Sequence, residues 1–177
     1  NEPISLLDHL KAEGIAPDVR FIQFPIGGMN TQDFTSYNDT VSIETFFMTP
    51  ALAKAEDPRR VHFKQMQMRW VYDYLQRDVD VALIQVARDL NGDLRLGPNT
   101  DFIAAVLESA KVIIAELNHA ITAPAGSPRI TEARIDHIFD SLDFSNKNFF
   151  IHYGDISDGT STLNIINKIR PDEIYNL

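Results

Sequence analysis

The sequence predicts an α/β fold, in which helices flank a mostly parallel sheet. Short apolar segments of the kind that form buried parallel strands occur at residues 81–86 and 112–117. Between them lies a segment whose apolar residues recur at helical spacing. Turn-forming residues such as Asn91-Gly92 separate the segments. This alternation of strand and helix is typical of a parallel sheet.

The sequence of residues 80–118 predicts a complete β–turn–α–β unit. Asn91-Gly92 forms its turn, because both residues tolerate a positive φ. Thr100 is the predicted cap of a helix that begins at Asp101. The apolar face of this helix consists of Ile103, Val106, Leu107 and Ala110. Residues 112–117 then form the second buried strand of the unit.

Further elements are predicted on both sides of this unit. Upstream, they are an amphipathic helix from Pro3 that ends at Gly14, strands at residues 19–24, 41–48 and 61–68, a short helix that opens at Thr49-Pro50, and a helix that carries Trp70, Val71, Tyr74 and Leu75. Downstream, residues 130–139 are ambiguous, and a strand at 149–153, a helix at 162–169 and a strand at 173–177 form a second β–α–β unit. We expect both units to share one sheet, because a lone pair of strands leaves too much apolar surface open.

Composition and charge argue against several classes of function. The net charge of −9 disfavours nucleic acid or an anionic membrane as a partner. The absence of cysteine excludes disulfides, thiolate catalysis and cysteine–zinc sites, and it suits a cytoplasmic protein. No stretch approaches the ~20 apolar residues that span a bilayer. The chain lacks an N-terminal Met, which leads us to expect a fragment.

No metal site is predicted. The five histidines, at positions 9, 62, 119, 137 and 152, lack metal-binding spacing. Asp89, Asn91 and Asp93 resemble the start of a calcium loop, but Leu94 stands where that loop requires glycine. These residues are therefore interpreted as a turn.

Two features allow both a functional and a plainer interpretation. Gly27-Gly28 follows a predicted strand and forms either an ordinary loop or a place where backbone approaches a ligand closely. Neither glycine-rich phosphate-binding motif is present. Glu44 and Glu116 lie in or beside apolar strands. Each is interpreted either as a buried acid or base with a raised pKa, or as a strand-end carboxylate that meets water or an arginine. We favour the strand-end interpretation.

One set of residues across the central unit matches a known motif. The set consists of Asp80, Gln85, Gly92, Leu96-Gly97, Asp101, Ala110-Lys111, Glu116 and Asn118. In order and spacing it resembles the N-terminal domain of the acetyl-CoA hydrolase/CoA-transferase family. Weaker agreement extends upstream to Glu2-Pro3 and residues 46–50, and downstream to Pro128-Arg129. The resemblance covers roughly residues 2–140 and implies an α/β fold of the CoA-transferase type.

In that family, the resemblance implies a glutamate that forms a glutamyl-CoA thioester and transfers CoA between carboxylic acids. The glutamate lies in the C-terminal half of such enzymes, beyond the matching positions. No catalytic residue is therefore assigned, and we expect the chain alone to be inactive as a transferase. Acyl-CoA or a carboxylate is the expected small-molecule partner, with CoA as a substrate and no further cofactor. The oligomeric state, including a homo-oligomer, stays open.

Ligands of open α/β sheets bind at the loops beyond the carboxyl ends of the parallel strands. Gly27, Gly28 and Gln85 are the predicted substrate-binding residues on that side. One departure from the family pattern lies nearby. Its S-P-P-D sequence after the first strand of the unit is replaced here by Ala87-Arg88-Asp89.

The C-terminal stretch resembles a different family. Residues 146–177 contain HYGDISD and PDEIYNL, and residues 134–139 read RIDHIF. These motifs resemble GDP-mannose 4,6-dehydratase, an extended short-chain dehydrogenase. The resemblance implies a Rossmann-like β–α–β tail with NADP as cofactor, contacted by Asp155, Ile156 and Leu177. The dinucleotide-binding glycine motif and the catalytic Tyr-x-x-x-Lys do not occur, so dehydratase activity is not expected.

The two resemblances meet between about residues 130 and 145. They predict a CoA-transferase-like domain at residues 1–140 and a dehydratase-like segment at 141–177, packed on the same sheet. The leading interpretation is part of an acyl-CoA:carboxylate CoA-transferase or acetyl-CoA hydrolase-like protein of acetate metabolism. The alternatives are a fragment of an NADP-dependent GDP-mannose 4,6-dehydratase, and a non-catalytic folded scaffold or chimera.

Overall fold

The computed structural model describes residues 2–77, 79–97 and 100–140. The strands in these ranges are β1 (Arg20–Gln23), β2 (Ser42–Thr45), β3 (Val61–Phe63), β4 (Val81–Arg88), β5 (Leu94–Leu96), β6 (Val112–Leu117) and β7 (His137–Asp140). The α-helices are α1 (Ile4–Glu13), α2 (Pro50–Ala53), α3 (Met68–Leu75) and α4 (Ile103–Ser109). The second predicted β–α–β unit, at 149–177, lies outside the described residues.

The first sheet has the order β1-β2-β3, with both pairs of strands parallel. Ile43, in the central strand, is flanked by Phe21 and Val61 and is fully buried. Each strand is short. The predicted strand at 61–68 extends only to Phe63, because its partner β2 ends at Thr45, which is opposite Phe63.

The second sheet has the order β5-β4-β6-β7. β4, β6 and β7 are parallel, and β6 occupies the residues predicted for it. The edge strand β5 is antiparallel to β4. It was not predicted, so the central unit is a β-hairpin followed by a helix and a strand. Gly92 closes the hairpin turn with a φ of +84°.

Helix boundaries follow the sequence signals at some positions and not at others. α1 ends at Gly14, which has a φ of +90°. α2 opens at Thr49-Pro50 as predicted, and the Thr49 side chain caps it by accepting a hydrogen bond from the backbone N–H of Leu52. The prediction that Thr100 caps α4 is wrong. That helix begins two residues later than expected, after Phe102, and Thr100 contributes its backbone carbonyl to Ile103.

The inner strands β4 and β6 of the second sheet are covered on both faces, whereas the edge strand β7 is mostly exposed. On one face, Ala82, Ile84 and Val86 pack in a cluster with the predicted apolar face of α4. On the other face, Leu83 packs against a cluster that includes Leu7 of α1 and belongs to the first sheet. The fold class is therefore the predicted one: a mixed α/β structure with mostly parallel sheets flanked by helices.

Candidate functional site

Two polar side chains interrupt the apolar interior of the second sheet. Gln85 of β4 and Glu116 of β6 are directly aligned neighbours, close to the carboxyl ends of their strands. Gln85 is 8% exposed and Glu116 is 0% exposed. Because side chains alternate along a strand, both lie on the face that carries Leu83, away from the cluster beneath α4.

Glu116 binds the beginning of helix α1. Its Oε2 atom accepts a hydrogen bond of 2.8 Å from the backbone N–H of Leu6. Pro3 occupies the cap position of α1 and offers no side-chain acceptor, so a residue 110 positions away supplies one to the first turn. The positive end of the helix dipole also favours a carboxylate there.

Burial raises the pKa of the Glu116 carboxyl above its ordinary value. The backbone N–H of Leu6, the Gln85 side chain and the backbone N–H of Ser5 act in the opposite direction, and the negative charge of Asp8 adds to the rise. The net direction is upward. Glu116 is thus a buried carboxyl that the fold holds closer to its protonated form than a surface glutamate.

A second buried carboxylate, Glu2, links the start of α1 to the loop that follows β1. Glu2 is 8% exposed, and its Oε2 atom accepts a hydrogen bond of 3.0 Å from the backbone N–H of Thr31. We refer to residues 25–31 as the glycine loop. Inside it, the N–H of Ile26 donates to Asn30 Oδ1 at 2.7 Å, and the N–H of Asn30 donates back to Ile26 O at 3.0 Å. The loop is therefore closed on itself and tied to α1.

The predicted substrate-binding residues differ in their surroundings. Gly27 and Gly28 are exposed in the glycine loop, and Gly28 has a φ of +83°, which favours glycine. Gln85 is buried inside β4, where its backbone carbonyl accepts from the N–H of Gly97. The loop is tied to Glu2, just before α1, and Gln85 lies beside Glu116, which accepts from the first turn of α1. Asp155, Ile156 and Leu177 lie outside the described residues.

The strand-end interpretation of the two glutamates is wrong for Glu116, which is enclosed by the sheet and α1. Glu44 is also buried, with the hydroxyl of Tyr74 donating to its Oε1 atom and Lys64 Nζ 3.5 Å from its Oε2 atom. Its partners are thus a tyrosine and a lysine rather than an arginine. Sequence reasoning did not single out Glu2 as a binding residue. The sequence offered an acidic residue next to Pro3 at the start of α1, but no local signal indicated its partner Thr31, 29 positions away.

The Asp89 segment forms a turn, as predicted. Asp89 Oδ1 accepts from the backbone N–H of Asn91 and of Asp93, and its Oδ2 atom accepts from Arg95 at 2.8 Å. In the part of the chain that the structure describes, no group of three or more His, Asp or Glu residues is arranged to hold a metal ion. Among the described helices, none is long and apolar enough to cross a membrane.

Sequence comparison identifies one family in the C-terminal third of the chain. The family model of GDP-mannose 4,6 dehydratase matches residues 118–177. GDP-mannose 4,6-dehydratase of Yersinia enterocolitica is 43% identical over 51 residues, which cover 29% of this chain and 14% of that protein. The enzyme of Vibrio cholerae is 37% identical over 59 residues, covering 33% of this chain and 15% of that protein. The predicted dehydratase resemblance is confirmed for this stretch.

Structure comparison finds similar solved proteins over most of the chain. RipA from Yersinia pestis aligns with a TM-score of 0.59 and 18% identity, over 95% of this chain and 42% of that chain. A 4-hydroxybutyrate CoA-transferase from Porphyromonas gingivalis aligns with a TM-score of 0.49 and 21% identity, over 75% of this chain and 38% of that chain. The likeness to RipA shows a shared fold. The chain spans less than half of these solved proteins and about a seventh of the matched dehydratases.

Proposed function

We propose that residues 2–140 are the N-terminal part of a CoA-transferase-like protein and contribute one wall of its site for acyl-CoA or a carboxylate. CoA transfer through a glutamyl-CoA thioester is the reaction of the complete enzyme in this proposal. The chain alone supplies binding and positioning, without the nucleophile. Support comes from the motif at residues 80–118 and from the α/β fold.

The observation that carries the proposal is the anchoring of the glycine loop. The loop follows β1, at the carboxyl end of a parallel strand, where open α/β sheets bind their ligands. Its two exposed glycines give close access to backbone. The hydrogen bond from Thr31 to Glu2 holds it in place, so that binding does not require ordering a free loop.

Calorimetric titration of the purified chain with acetyl-CoA tests this proposal. We expect binding that is weakened at least fivefold by Gly28→Val, since a β-branched residue is strained at a φ of +83°. Gly126→Val is the matched control, because Gly126 has open space where a side chain would begin. Equal binding by all three proteins, or no binding by any, would contradict the proposal.

Activity is tested separately by a CoA-exchange assay between acetyl-CoA and succinate. We expect no turnover by the chain alone, because the glutamate of the family lies beyond the matching positions. Turnover by the purified chain would overturn this part of the proposal and place the nucleophile within residues 1–177.

NADP binding is a second candidate function, favoured by the family-model match at residues 118–177. Under this proposal, Asp155, Ile156 and Leu177 contact the cofactor, as the dehydratase resemblance implies. A titration with NADPH, followed by its fluorescence, distinguishes the candidates. An Asp155→Ala variant that loses NADPH binding but retains acetyl-CoA binding would support a nucleotide site in this stretch. A chain that binds neither ligand would be a scaffold.

A further inference from the structure

A cleft of about 290 Å³ lies between α4, β5 and residues 129–134, on the α4 side of the second sheet and away from the Gln85–Glu116 pair. Its apolar lining includes Leu96, Leu107 and Ile130. One wall is held firmly: the N–H of Leu96 donates to Pro128 O at 3.0 Å, and the N–H of Ile130 donates to Leu94 O at 3.1 Å. Residues 128–130 thus extend the sheet beyond β5, and this wall is preformed.

Two guanidinium groups and a hydroxyl also line the cleft, from Arg129, Arg134 and Thr131. Arg134 donates from Nη2 to the carbonyl of Leu107 at 3.0 Å, which uses one of its five N–H donors. Arg129 Nη2 lies 2.5 Å from Asp93 Oδ1. Each guanidinium is therefore held through its Nη2 atom, Arg129 as an ion pair with Asp93, and its other N–H groups lie in the same planar array.

The acidic residue of the lining, Glu108, has its carboxylate occupied elsewhere. Its Oε1 atom accepts from the hydroxyl of Tyr72 at 3.2 Å, and its Oε2 atom accepts from the side-chain amide of Gln76. Both donors belong to α3 or its end, whereas the arginines belong to the opposite wall. The two guanidinium groups thus lie on the wall of the cleft opposite to Glu108, whose carboxylate oxygens are bound by α3 and its end.

We propose that this cleft binds a small organic anion, with one carboxylate held by Arg129 and Arg134 and a short apolar tail against Leu96, Leu107 and Ile130. Planar guanidinium groups match carboxylate oxygens in pairs, and the apolar lining excludes water from the tail. The volume limits the ligand to a small molecule. This inference is independent of the function proposed for the glycine loop, since the two share no residue.

The test is a titration of isotope-labelled protein with hexanoate, followed by two-dimensional NMR. We expect saturable shifts at the amides of Leu107, Ile130 and Thr131, with a dissociation constant of about 1–10 mM, as for weak ligands of this size. Acetate supplies the charge without the tail, and hexan-1-ol supplies the tail without the charge. Each is expected to bind at least fivefold more weakly.

Variants separate the cleft from general anion binding. Arg129→Gln and Arg134→Gln are each expected to weaken hexanoate binding at least fivefold, whereas Arg59→Gln, at a position 89% exposed and outside the cleft, leaves it unchanged. If the spectrum of Arg134→Gln shows that this variant is misfolded, hexanoate binding by Arg129→Gln still tests the proposal. Equal binding of hexan-1-ol, shifts scattered over the surface, or equal loss in Arg59→Gln would overturn the proposal.

Discussion

At the scale of single residues, the described part of the chain uses buried carboxylates to hold backbone. Glu116 accepts from the first turn of α1, Glu2 accepts from the glycine loop, and Asp89 accepts from the amides of its own turn. A carboxylate that accepts hydrogen bonds from backbone N–H groups gives these donors a partner in place of water. The cost is a buried charge, which is visible in the raised pKa of Glu116.

Glu116→Gln is expected to remove part of the pH dependence of stability. An acid whose pKa is raised on folding binds more protons in the native state, so the free energy of unfolding falls as pH rises from the ordinary glutamate value through the raised pKa of Glu116. A glutamine still accepts from Leu6 but carries no proton to lose. Urea unfolding between pH 4 and pH 8 (~0.5-unit steps) measures the effect.

The control for this measurement is Glu13→Gln, at the exposed end of α1. Its stability profile is expected to run parallel to that of the unaltered protein. If Glu116→Gln keeps the full fall in stability across the window, another group is responsible for it.

Glu2→Ala is expected to loosen the glycine loop without unfolding the protein. Removing the acceptor of the Thr31 N–H leaves that donor without its partner, at a cost of about 1–3 kcal/mol if it stays buried. Hydrogen exchange read by mass spectrometry should show faster exchange at residues 26–31 alone. Glu2→Gln, which keeps an acceptor, should restore protection. Unchanged exchange in Glu2→Ala would show that Asn30 holds the loop by itself.

At the scale of elements, the sequence predicted correctly those helices and strands that are determined by residues close together in the chain. β6 was predicted residue by residue, and the end of α1 at Gly14 and the start of α2 at Thr49-Pro50 were also correct. The strand β5 has only three residues, which is too short for a recognisable alternation of side chains. It forms by antiparallel pairing with β4 across the hairpin. The binding of Glu116 to α1 depends on packing between distant segments, which no local pattern contains.

The two threonines at predicted helix starts offer a direct comparison. Thr49→Ala is expected to destabilise the protein by about 1 kcal/mol, because the N–H of Leu52 loses its side-chain acceptor. Thr100→Ala is expected to cost less than about 0.5 kcal/mol, since its contribution to α4 is a backbone carbonyl that alanine retains. Chemical denaturation of both variants measures the difference. Equal losses would show that Thr49 acts through packing rather than capping.

At the scale of the whole molecule, the two sheets of the described chain share their apolar contacts. Leu83 of the second sheet packs into the cluster of the first, around Ile43. A further cluster joins Phe46, which follows β2, with Val71 of α3 and Ala105 of α4. Because these contacts join the two sheets, we expect them to unfold together.

Ile43→Ala is expected to lower the free energy of unfolding by about 2–5 kcal/mol, as is usual when a fully buried isoleucine is truncated. Circular dichroism and the fluorescence of Trp70 should report the same midpoint, because one cooperative transition involves both sheets. Leu90→Ala, at a position 93% exposed, is the control and should be near neutral. Separate midpoints for the two probes would show that the sheets unfold independently.

The hydrogen bond from Leu6 to Glu116 has a consequence for biosynthesis. The two residues are 110 positions apart, so the first turn of α1 leaves the ribosome long before its acceptor exists. At about 5–20 residues per second, the delay is about 5–20 seconds. During that time α1 is a short helix without its acceptor, and short isolated helices are marginal in water. The segment that forms α1 is therefore not stabilised until the second sheet has been synthesised. In nascent chains arrested before residue 116, we expect proteases to cleave this segment readily.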